Sequence, residues 1–89
     1  ENINLIEYSS TGLPERIINV VEVDQGQLKN VTVAEYDSGE LVRVIRAENG
    51  VWLPEGGWEF YDGVMHNFPL DDYDKVVVIE FQKELIKII

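Results

Sequence analysis

The sequence predicts an all-β domain, a twisted antiparallel β-jellyroll or sandwich. Three observations lead there. Turn-forming clusters recur at short intervals along the chain. The runs between them are rich in Val, Ile, Tyr and Trp. No segment sustains the period of a crossover helix between such runs. With 89 residues, 45% of them hydrophobic, the chain suits one domain with one modest core and is too apolar for an intrinsically disordered segment.

The turn signals fall at Ser10-Thr11-Gly12, Asp24-Gln25-Gly26, Asp37-Ser38-Gly39, Pro54-Glu55-Gly56-Gly57, Asp62-Gly63 and Pro69 to Asp72. They bound seven or eight short strands. The first is Ile3 to Tyr8, and the second covers 15–23, where Ile17, Val21 and Val23 share one parity with Asn19. Segments 29–36 and 40–47 follow. In the latter, Leu41, Arg43, Ile45 and Ala47 alternate with Val42, Val44 and Arg46. Both faces are partly apolar, which predicts a central strand. A short run at 51–53 comes next. Trp58 and Phe60 then share one face with Glu59 opposite, and Val64, His66 and Phe68 lie beyond Asp62-Gly63. Asp-Gly supplies the positive φ of a type I′ turn, so this stretch reads as a hairpin. The last strand is 75–81, with 82–89 as a loosely held exit. Glu84, Leu85, Ile88 and Ile89 also carry helical spacing. Around 14–20 the β-branched content argues against a helix.

The charge is -10, from 17 acidic and 7 basic residues. That field has the wrong sign for gripping nucleic-acid phosphates or anionic lipid heads and suits solubility. The absence of Cys excludes disulfides and thiol chemistry. No long apolar span or signal peptide is visible, and an opening Glu1 fits a processed or excised piece.

Nothing reads as an enzyme active site or a metal or cofactor centre. His66 is the only histidine and has no Cys to complete a zinc set; it shares parity with Val64 and Phe68, which suggests an inner face. Asp71, Asp72 and Asp74 lack the spacing of a calcium loop and read as a solvated turn. No acidic pair stands out for hydrolysis, and Ser9 and Ser10 lack a nucleophile-elbow setting. Asn30-Val31-Thr32 is a glycosylation triplet lying mid-strand. Trp52, Trp58, Phe60, Tyr61 and Phe68 crowd one stretch. They read either as core or as the lining of an apolar interior between sheets.

The stretch Leu41-Val42-Arg43-Val44-Ile45-Arg46-Ala47, then Val51-Trp52, Trp58-Glu59-Phe60 and Asp62-Gly63-Val64, resembles the periplasmic domain of the lipopolysaccharide export permease family, LptF/LptG. Leu28-Lys29-Asn30-Val31-Thr32-Val33 and Glu35-Tyr36-Asp37 also look like that family, and the resemblance covers about 20–68. It implies a single jellyroll domain over 1–89, inserted between two bundles of membrane helices of an inner-membrane permease. The domain would stand on the periplasmic side of the bacterial inner membrane. It would pass lipopolysaccharide or a related lipid to a neighbouring jellyroll bridge protein. A partner permease subunit and a cytoplasmic ATPase would complete the transporter, and no residue here would be catalytic. Leu41, Ile45, Trp52, Trp58, Phe60, Val64 and Phe68 are the candidates for the lipid path. The alternatives are a scaffold of the same complex with a filled core, or a secreted carbohydrate-binding sandwich using Trp52 or Trp58.

Overall fold

The computed structural model describes residues 2–72 and 74–86. Every regular element among them is a strand: β1 (Ile3–Tyr8), β2 (Pro14–Asp24), β3 (Gln27–Asp37), β4 (Glu40–Trp52), β5 (Trp58–Asn67) and β6 (Val77–Ile86). They form one open antiparallel sheet in chain order, β1-β2-β3-β4-β5-β6. The all-β, antiparallel expectation holds.

The turn chemistry accounts for the reversals. Gln25 and Gly26 both have positive φ, at 51° and 79°, as do Ser38 and Gly39, at 51° and 85°. Each pair is a two-residue connection of the type I′ kind, whose twist matches that of the flanking strands. Between β1 and β2, the Ser9 hydroxyl accepts from the Thr11 and Leu13 amides at 3.3 and 3.2 Å. The β4–β5 reversal is closed by Leu53 N donating to Gly57 O and Gly56 N to Leu53 O, both at 3.0 Å.

Two expected boundaries are absent. The run at 51–53 is no separate strand, because β4 continues through Gly50 to Trp52. Asp62-Gly63 is no hairpin, because both residues lie inside β5. Asp62 does adopt the anticipated positive φ, 56°, but as a single left-handed residue. One such residue re-aims a strand; reversal by a type I′ turn needs two in succession. Segment 82–86 prolongs β6 and ends in buried Ile86, so it is strand rather than helix or loose exit. Ile88 and Ile89 lie outside the described residues.

The core is one cluster: Ile18, Val20, Leu28, Val31, Val33, Ile45, Ala47, Trp58, Phe60, Met65 and Ile86. In β2 the buried parity is Ile18 and Val20, opposite to that of Ile17, Val21 and Val23. In β4 it is Ile45 and Ala47, as their alternation predicts, and β4 sits between β3 and β5 with Val42 and Val44 half-buried on its other face.

Alternation does not run unbroken. The inward residues are Val31 and Val33 but then Leu28; Ala47 but then Gly50; Phe60 but then Met65. The parity changes at Asn30, Glu48 and Asp62. These three share one line across the sheet with Val21 and Gln82, and the strand pairing skips every member of it while keeping register on both sides. Asn30, like Asp62, has positive φ, at 54°. Asn and Asp tolerate this conformation better than other non-glycine residues. This seam lets residues of both parities reach one core.

Candidate functional site

Two surfaces deserve a chemical reading: the core face with its ends, and the opposite face along the seam. On the core face, a row of cross-strand partners runs Leu5, Ile18, Val33, Ile45, Met65, Ile79 from one sheet edge to the other. Its middle is fully covered, with Ile45 0% exposed, whereas Leu5 and Ile79 at the ends are 43% and 42% exposed. The apolar layer is closed in the centre and open at both edges.

The next row on this face is charged: Glu7, Arg16, Glu35 and Arg43 are partners across β1 to β4. Arg16 Nη1 donates to Glu7 at 2.9 Å, and Arg16 Nε and Nη2 donate to Glu35 at 3.1 and 2.9 Å. Arg43 Nε donates to the other Glu35 oxygen, and its Nη1 reaches Met65 Sδ at 3.6 Å. Burial disfavours the Glu35 carboxylate, but its hydrogen bonds to Arg43 and Arg16 and their charges outweigh this and lower its pKa. Burial likewise opposes the Arg16 charge, yet Glu35 and Glu7 raise its pKa. The ladder caps one end of the core with satisfied charge.

The seven lipid-path candidates divide between the faces. Ile45, Trp58 and Phe60 are in the core cluster. Trp52 is 52% exposed and meets Trp58 edge-on at 5.0 Å, and Trp58 meets Phe60 at 6.3 Å. Leu41 is half-buried at the polar end of β4, two residues from Arg43. Val64 and Phe68 are elsewhere. Val64 pairs with Arg46 on the outer face. Phe68 stacks on His66 at 6.5 Å, and His66 pairs with half-buried Val44. His66 therefore shares the face of Val64 and Phe68, as its parity predicts, but that face is the outer one. The reason is the seam: it lies between Phe60 and Val64, so their common even numbering does not mean a common face. One buried donor has no partner among the described residues, Trp58 Nε1.

Along the seam the outer surface holds a groove of about 780 Å³. Thr32, Arg46, Glu48, Asp62, Val64 and Gln82 are among its lining residues. Its walls are mixed: apolar Val21, Val31, Ala47, Val64 and Phe81 lie beside the polar side chains. No group of His, Cys, Asp and Glu among the described residues is placed to hold a metal ion. On the outer face beyond the seam, Glu59 accepts from Tyr61 and pairs with Lys83 at 3.4 Å. The Tyr61 hydrogen bond, aided by Lys83, lowers the Glu59 pKa, and the same bond raises that of Tyr61.

Sequence reasoning missed both the ladder and the seam. The ladder had a signal: in β2, β3 and β4 the inward parity ends on Arg16, Glu35 and Arg43, with signs that alternate from strand to strand. The seam had only Asn30 and Asp62, which look like turn residues.

No protein-family model matches the chain, and no curated protein matches it. No helix among the described residues is long and apolar enough to cross a membrane.

Proposed function

We propose that this domain handles lipid on the periplasmic face of an export permease, as the resemblance over 20–68 implies. The finer architecture belongs to the same reading: the seamed sheet is a jellyroll unit that a neighbouring jellyroll extends. One observation carries the reading. The apolar row from Leu5 to Ile79 crosses the whole sheet and is exposed at both ends. Acyl chains gain about 0.8 kcal/mol per buried CH₂, so contact with an open apolar rim is favourable without a deep pocket, and shallow burial permits release. The lipid contacts are then the rims, Leu5, Ile79 and exposed Trp52, more than the closed centre at Ile45 and Phe60.

That closed centre favours a second reading. Phe60 is 1% exposed. A core packed to this degree suits a scaffold that positions other jellyrolls and carries no lipid. Site-specific photocrosslinking in the complete, ATP-driven exporter separates the two. Probes replace Leu5, Ile79 and Phe60, with outward-facing Glu59 as the control. Lipid adducts at Leu5 or Ile79 well above those at Glu59 support the lipid path. Equal or absent labelling at all four positions in a transporting complex assigns the scaffold.

A further inference from the structure

We propose that the two edges of the sheet, which no other strand among the described residues covers, are complementary, so that β6 of one copy of this chain adds β1 of a second copy as its seventh strand, with Ile79 opposite Leu5. This concerns the chain's own association and is argued without the cargo reading; copies paired in this way cover Leu5 and Ile79, so the same rims cannot hold lipid at the same time.

Successive strands alternate in direction, so β1 and β6 run oppositely. A second copy placed beside β6 by simple repetition therefore presents an antiparallel β1, with matching faces. Continuing the register of the sheet sets Ile3 opposite Phe81 and Leu5 opposite Ile79 on the core face. On the outer face it sets Ile6 opposite Val78 and Asn4 opposite Glu80. Leu5, Ile6, Val78 and Ile79 are all between 42% and 55% exposed in the single copy. Each finds an apolar partner, and the amide of Asn4 faces a carboxylate. Glu7 falls opposite Val77, but its carboxylate is already held by Arg16 within its own sheet.

Unpaired edge backbone supplies the hydrogen bonds, and the side-chain rows set the register. The symmetric alternative, β6 against β6 centred on Ile79, sets Glu80 opposite Val78 twice and leaves β1 uncovered. The repeating pairing is heterologous and therefore open-ended. A charge of -10 on every copy opposes it, so it strengthens with salt.

The chain has no cysteine, which makes a direct test possible. β1 and β6 do not approach each other within one molecule. A disulfide needs Cα atoms within about 7 Å, so Leu5→Cys with Ile79→Cys can be bridged only between copies. At 1 M salt, where the Debye length is about 3 Å, mild oxidation of this double variant gives a ladder of linked dimers, trimers and longer species. It forms about tenfold faster than any product of Leu5→Cys with Leu85→Cys, because pairing raises the effective thiol concentration only in register. Circular dichroism first verifies that both variants fold. Separately, Ile79→Lys abolishes salt-dependent association in sedimentation. Equal rates for the two double variants overturn the proposal. So does an Ile79→Cys single variant that dimerises as fast as the double one, which assigns the symmetric β6 pairing instead.

Discussion

The ring of Phe60 fills the space that a side chain would take at Gly50, its cross-strand partner: a Cβ built there lies 2.7 Å from Phe60 Cδ1. Phe81 stands in the same relation to Gly63 on β5, with a Cβ 2.5 Å from its Cζ. An aromatic over a cross-strand glycine thus occurs on each side of the seam. Such pairs restore the packing that glycine lacks.

Gly50→Ala is expected to destabilise by about 1–3 kcal/mol through overpacking, and Phe60→Ala by about 3–5 kcal/mol through a cavity. The double variant should cost less than the sum, with a coupling of about 0.5–3 kcal/mol. Denaturant melts of the four proteins measure this. Strict additivity would mean that the ring does not depend on the bare glycine.

Gly63→Ala should be worse than Gly50→Ala. At Gly63 the added methyl meets the Arg46 carbonyl oxygen as well as the Phe81 ring, and backbone in a central ladder cannot turn aside as a ring can. Equal midpoint shifts in the two melts would contradict this.

Asn30 and Asp62 hold the left-handed conformation at the seam. Replacement by Val, which resists that region, should cost about 1–2 kcal/mol at each site. Replacement by Gly should change stability little, because relief of strain offsets the lost chain stiffness. Val variants as stable as the wild type would show that the seam is not set at these residues.

Glu35 contributes acid sensitivity to the fold. Its folded pKa lies below its unfolded value, so its contribution is present above the unfolded value of about 4.3 and is lost as pH falls through the folded one. Glu35→Gln should destabilise by about 1–3 kcal/mol at pH 7, by leaving half-buried Arg16 and Arg43 short of a counter-charge. The gap to wild type should narrow in melts as the pH is lowered from the unfolded value through the depressed folded one, where wild-type Glu35 takes up its proton. A gap that widens in acid would reverse the sign of the argument.

Much was legible in the sequence alone: the β class, five of the six turn sites, the central place of β4, and the inward side chains Ile45, Trp58 and Phe60. Local chemistry determines these. Gly26 and Gly39 supply positive φ for tight turns, and a period of two assigns faces within an unbroken strand. What tertiary structure decided is whether Asp62-Gly63 reverses the chain or redirects it. The same left-handed residue serves both, and the outcome depends on the neighbouring strands, where Glu48 and Gln82 fall on the same line and the ladder resumes beyond it. That choice moved Val64, His66 and Phe68 to the face opposite Phe60. Tertiary pairing likewise carried β4 across Gly50 and gathered Glu7, Arg16, Glu35 and Arg43, from four strands, into one ladder. Parity counts residues along a single strand; the register between strands, fixed only when the whole sheet closes on its core, decides where that count begins again.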